Sequence, residues 1–121
     1  MKFKNKPWYS DYMHIRDNKT FSSFAFIKDF IFYHRVRYMV YFRRAQKTKF
    51  KPLKFYYEYK LFRLCRKYGI EIKTNTQIGE GFCMIHPYNI TVSPFAVLGK
   101  NVNMYKGSTI GNNTGNPKGA P

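Results

Sequence analysis

Acidic residues are few in this chain: Asp and Glu total 6 of 121 residues against 22 Lys and Arg, giving a formal net charge of +16. The imbalance is local. Up to Tyr68 the chain holds 18 cations and 4 acids, a net of +14, whereas residues 69 to 121 hold 4 cations and 2 acids. Cysteine is also sparse. Cys65 and Cys83 are the only two, which gives neither a disulfide framework nor the repeated close spacing of a zinc site. They read as reduced core thiols of a cytoplasmic protein, and no metal is called for. No run approaches the roughly 18 apolar residues of a membrane span. The start, Met1-Lys2-Phe3-Lys4-Asn5-Lys6-Pro7-Trp8, lacks the apolar stretch of a signal peptide, so secretion is disfavoured too.

What is present is a period of six. Ile72, Ile78, Met84 and Ile90 form one aliphatic series, and Val92, Leu98, Met104 and Ile110 form a second, offset by two residues. Gly79, Gly99 and Gly111 each follow a member directly. Six is neither the helical nor the alternating strand period, and a fixed longer repeat means stacked supersecondary units that bury one shared core. Three short strands per turn of such a stack consume about 18 residues, so the segment from Ile70 to Gly111 predicts about two coils of a parallel β-helix. The two-residue slip between Ile90 and Val92 marks a widened corner at Met84-Ile85-His86-Pro87-Tyr88-Asn89-Ile90.

Before the repeat the pattern is helical. Residues 1 to 21 show no clear period and read as an irregular basic arm. From Ser22 to about Gln46 the apolar positions keep three- and four-residue spacing, with Ser22 or Ser23 as N-cap, which predicts one helix. Arg35, Arg37, Arg43, Arg44 and Lys47 load its C-terminal half, where cations suit the helix dipole. Pro52 opens a second helix whose apolar stripe is Tyr57, Leu61, Leu64, Cys65 and Tyr68, and Gly69 is its stop. The domain reading is therefore an arm (1–21), a helical segment (22–69) that caps the open end of the solenoid, the repeat (70–111) and a Gly/Asn-rich loop (112–121). The fold class is α+β.

His86 is the best candidate for a reactive group. It lies at the corner where the register slips, beside Pro87 with its fixed torsion and Asn89, which tolerates positive φ. An imidazole with an ordinary pKa near 6.5 can take a proton from an alcohol at neutral pH. The bland alternative is a turn histidine bonded to the backbone. Lys100-Asn101 and Asn112-Asn113 sit at turns, where Asn serves backbone geometry.

Together these residues carry a family resemblance. The ladder from Ile72 to Ile110 resembles the hexapeptide-repeat acyltransferases. Lys67-Tyr68-Gly69-Ile70-Glu71-Ile72, Ile78-Gly79-Glu80-Gly81 and Ile85-His86-Pro87-Tyr88-Asn89-Ile90 are similar to the branch of serine O-acetyltransferases and related polysaccharide O-acetyltransferases. The resemblance covers residues 22 to 121. It implies a left-handed β-helix, a homotrimer, acetyl-CoA as co-substrate with no metal, and acetyl transfer to a hydroxyl, with His86 as general base. It further implies a co-substrate loop at Gly111, Asn112, Thr114, Gly115 and Lys118, and Lys106 and Lys118 could meet CoA phosphates. This chain departs from the family in two places. Ile85 stands where serine acetyltransferases have an aspartate, and the glycine-rich loop lacks their second histidine, so a saccharide is expected as acceptor ahead of serine. The chain also reads as stopping early, because family members continue through further coils.

The basic, aromatic N-terminal half admits three readings: packing onto the solenoid end, contact with an anionic membrane surface, and, least favoured, nucleic acid. The expected function is an O-acetyltransferase, cytoplasmic or peripheral at the inner membrane face. The competing expectation is a non-catalytic fragment or trimeric scaffold whose basic arm carries the interaction.

Overall fold

The computed structural model describes residues 6 to 16 and 20 to 111. Four helices come first, α1 (Pro7–Ile15), α2 (Ser23–Phe32), α3 (His34–Lys47) and α4 (Lys51–Tyr68). Residues 7 to 15, expected to be irregular, are thus a helix. At nine residues α1 is too short to hold by itself in water. It is held from outside: Tyr12 and Met13 are buried in an aromatic cluster with Phe21 and Phe26, and Asp11 is buried against Arg43.

The single helix expected from Ser22 to Gln46 is also two. Ser22 does cap the first, its hydroxyl accepting from the Ala25 amide at 3.4 Å. Tyr33 then turns extended, with φ −121° and ψ 112°. In an unbroken helix the carbonyls of Phe30 and Ile31 would be taken by amides of the next turn. Here the Arg37 guanidinium donates to both, at 3.0 and 2.6 Å, so the break leaves neither unsatisfied. The second predicted helix is α4. Proline stands at its first turn and Gly69 closes it in the left-handed conformation, φ 74°.

Seven short strands follow among the described residues: β1 (Ile70–Ile72), β2 (Gln77–Ile78), β3 (Cys83–Ile85), β4 (Ile90–Val92), β5 (Val97–Leu98), β6 (Asn103–Tyr105) and β7 (Thr109–Ile110). Every pairing is parallel and joins a strand to the third one after it, giving the sheets β1-β4-β7, β2-β5 and β3-β6. The period of six becomes visible in the register. Ile72 stacks on Val92 and Val92 on Ile110, Ile78 on Leu98, and Met84 on Met104. The ladder is buried throughout except for half-buried Ile110.

Stacked corners restrict what the chain can place there. Gly69, with φ 74°, lies under Asn89, with φ 54°, and a Cβ on Gly69 would run into the Asn89 side chain. Gly69 therefore serves as helix stop and as the lowest step of a corner.

Helix α3 closes the open end of the stack. The Tyr38 hydroxyl donates to the Ile72 carbonyl at 3.2 Å and accepts from the Ile72 amide at 3.3 Å. Gln46 Nε2 donates to the carbonyls of Thr74 and Thr76, and Arg43 to those of Ile78 and Gly79. An exposed strand edge is a row of unpaired donors and acceptors, and α3 supplies partners to this one from a single helix. Arg43, expected to serve the helix dipole, is instead a buried cap. Tyr38, Phe42, Leu61 and Leu64 share one core with the ladder.

Candidate functional site: the His86 corner

The corner between β3 and β4 owes its shape to two extra residues. Ile85 and Thr91 are separated by His86, Pro87, Tyr88, Asn89 and Ile90, whereas their partners one layer on, Tyr105 and Thr109, are separated by Lys106, Gly107 and Ser108. This is the register slip seen in the sequence. The longer loop is accommodated by two left-handed residues, His86 with φ 50° and Asn89 with φ 54°. Positive φ in a non-glycine residue costs about 1–2 kcal/mol, and such strain persists only where surrounding contacts enforce it.

Those contacts come from both sides. The Tyr88 amide donates to the His86 carbonyl at 2.8 Å, and the Asn89 amide to the Tyr68 carbonyl at 2.9 Å. From the next layer, Lys106 and Gly107 donate to the carbonyls of Ile85 and Tyr88. From the helical side, His34 Nε2 lies 2.8 Å from the Pro87 carbonyl. A carbonyl only accepts, so Nε2 carries the proton. The His34 ring stacks on Tyr68 with centroids 3.5 Å apart and meets Tyr88 edge-on at 5.1 Å. Burial pushes His34 below the ordinary histidine value, helped by Arg37, Lys67 and Arg35 and opposed by the bond to Pro87. Neutral His34 is the form that the brace uses.

His86 itself is exposed, and its imidazole makes no hydrogen bond to any described residue. Half-buried Ile85 precedes it. The backbone register places Lys106 one layer beyond His86 at the same corner. Gly111 directly follows β7, at the opposite end of that strand from the corner. Asn112, Thr114, Gly115 and Lys118 fall outside the described residues, so the structure gathers only part of the expected set.

The brace of His34, Tyr68 and Tyr88 and the Asp11–Arg43 pair were not found by sequence reasoning. Both link positions more than 30 residues apart, and no local pattern encodes such a pairing. Cys65 and Cys83 form no disulfide. Among the described residues no three His, Cys, Asp or Glu come together as a metal site would require, and no helix is long and apolar enough to cross a membrane.

No family model matches this chain, and no curated protein matches it in sequence. Solved structures do match in fold. A serine O-acetyltransferase from Brucella melitensis, described as a bacterial transferase hexapeptide repeat protein, superposes with a TM-score of 0.68 at 20% identity. The match covers 94% of this chain and 48% of that one. A serine acetyltransferase from Neisseria gonorrhoeae superposes with a TM-score of 0.66 at 18% identity, covering 88% of this chain and 42% of that one. These neighbours are serine O-acetyltransferases of the hexapeptide-repeat transferase family. The chain spans a little under half the length of each, and likeness at this identity is likeness of fold.

Proposed function

We propose that the chain belongs to an acetyl-CoA-dependent O-acetyltransferase of the hexapeptide-repeat family. In this reading the strands wind as a left-handed parallel β-helix of about two coils and the protein assembles as a homotrimer. His86 is the catalytic general base, and the acceptor is a saccharide hydroxyl. The observation that carries the proposal is His86 itself: an exposed imidazole with no hydrogen-bond partner among the described residues, held at positive φ on a corner lengthened by two residues, in a fold shared with acetyltransferases.

The chemistry follows from that placement. The imidazole takes the acceptor hydroxyl proton as the oxygen attacks the thioester carbonyl carbon. The tetrahedral intermediate collapses, the C–S bond breaks, and the imidazolium returns its proton to the departing thiolate. Backbone amides steady the oxyanion. Gly111, Asn112, Thr114, Gly115 and Lys118 form the co-substrate loop, with Lys106 as a point charge toward the CoA phosphates. With Ile85 in place of a carboxylate, no side chain among the described residues fixes the tautomer of His86, and the acceptor itself completes its orientation in this reading.

Calorimetric titration with acetyl-CoA, followed by thiol-release assays over a panel of sugars and serine, tests the reading. Saturable binding and turnover are expected, with His86→Ala lowering the rate by about 10²–10⁴ while circular dichroism is unchanged. Turnover indifferent to that substitution, or no binding of acetyl-CoA, would overturn it in favour of a scaffold role.

A further inference from the structure

Helix α4 has two apolar faces, and only one belongs to the core. Tyr57, Leu61, Leu64 and Tyr68 face inward. Phe55, Tyr59 and Phe62 repeat at the same helical spacing on the opposite side and stand in solvent, 71, 47 and 53% exposed. A helix that packs on one side normally presents charge on the other, so a second aromatic stripe needs a partner of its own.

The flank of that stripe facing α3 is cationic. An open groove of about 820 Å³ runs along it, lined by Arg37, Lys60, Arg63, Arg66 and Lys67 with no acidic residue. Lys60 and Arg66 stand over the rings of Tyr56 and Phe62, at 5.7 Å in each case. Rings reaching outward between long-stemmed cations match the requirement of a bilayer interface, where the rings enter the headgroup layer and the cations meet lipid phosphates.

We propose that this face of α4 docks on an anionic lipid bilayer. A second copy of the chain is disfavoured by charge. It would bring cations against cations, and the acids of the helical half are already engaged among the described residues. Asp11 is buried on Arg43, Asp29 accepts from the Tyr12 hydroxyl, and Glu58 accepts from Thr74 Oγ1. Nucleic acid is disfavoured because Tyr56 and Phe62 each have one ring face already covered by a cation, whereas base stacking uses open faces. The inference does not depend on the acyltransferase reading.

The test is co-sedimentation of the full chain with phosphatidylcholine vesicles with and without phosphatidylglycerol, at low and high salt. Binding is expected only to the anionic vesicles, weakened by salt. Reversing the groove charges (K60E, R63E and K67E together) should abolish it, since each cation near an anionic surface strengthens binding roughly fivefold. The variant F55S/Y59S/F62S should weaken it at least about tenfold while circular dichroism and the urea midpoint are retained. No binding to anionic vesicles would overturn the proposal. So would full binding by the aromatic variant, which would leave only non-specific attraction. Two further results would also overturn it: lipid-free dimerisation abolished by the same substitutions, which would assign the face to a second copy, and displacement from vesicles by single-stranded RNA at equal phosphate.

Discussion

Arg43→Met should be among the most damaging single substitutions in this protein, and the reason can be worked from its contacts. Asp11 is fully buried and Arg43 is 5% exposed. The carboxylate accepts from Arg43 Nε at 2.8 Å and Nη2 at 3.2 Å, and from the amides of Gly81 and Phe82 at 2.9 Å each. Arg43 also donates to the carbonyls of Ile78 and Gly79 at 2.7 and 2.8 Å. Methionine fills most of the volume but leaves a buried carboxylate on two amides and strips two carbonyls of their donor. Breaking a buried pair by removing one partner costs about 3–5 kcal/mol, a large part of the roughly 5–15 kcal/mol by which a domain is stable. Asp11→Asn keeps an oxygen for the two amides and should cost less, about 1–3 kcal/mol. Because the two residues act as a unit, the double variant should lose less than the sum of the singles. Burial already pushes the Asp11 carboxyl above its ordinary value, while Arg43 and the amides pull it back. Without Arg43 that value rises further and the variant can take up a proton there, so its deficit should shrink as pH falls. Urea unfolding at neutral and mildly acid pH measures all of this. A loss under about 1 kcal/mol for Arg43→Met, the size expected of a solvated pair, would refute the argument.

Further outcomes follow from the structure. His34, held below its ordinary value of 6.5 by burial first, should make stability fall as pH drops through that value, because the unfolded chain then takes a proton that the folded chain resists. His34→Gln should flatten this part of the profile in urea midpoints measured on either side of it, and an unchanged slope would count against the brace. Gly79→Ala should cost about 1–3 kcal/mol or more in the same assay, since its Cβ would fall 2.6 Å from the backbone of Gly99. Gly99→Ala, with nothing within 4 Å, should change stability by no more than about 0.5 kcal/mol.

The parts legible in the sequence are those whose reason for existing is periodic. Ile72, Ile78, Met84, Val92, Leu98 and Met104 are all buried because one face of each strand points inward, and that geometry writes itself as a six-residue spacing. The His86 corner was visible for the same reason, as an interruption of the spacing. Helix α4 was readable from its inner stripe and Gly69, but its outer stripe was hidden because Phe55, Tyr59 and Phe62 merely raise an aromatic content that is high throughout that half. What could not be read rests on long-range pairing. Nothing near Asp11 announces that it will meet an arginine 32 residues later, nor that Arg37 will bond two carbonyls and let the chain break at Tyr33. Polar residues on a helix are expected outside, and buried Tyr38 and Arg43 violate that expectation because the open edge of β1 and its neighbours needs partners.

That violation ties the helical half to the candidate site. Helix α3, which closes the first layer, also holds the Pro87 carbonyl through His34, one residue from His86. Ordering each residue of a loop costs about 1–2 kcal/mol in backbone entropy, and a left-handed histidine adds strain. The two extra residues of the corner therefore need more support than the layer above can supply through the amides of Lys106 and Gly107 alone. His34, Tyr68 and Tyr88 provide the remainder from below, at the junction where α3 begins and α4 ends. The change from helix to strand at residues 69 and 70 is consequently not a boundary between independent units: Tyr38, Phe42 and Leu61 lie in one core with Ile70, Ile72 and Met84. A perturbation of the first turn of α3 should be felt at His86 before it is felt at the far end of the stack.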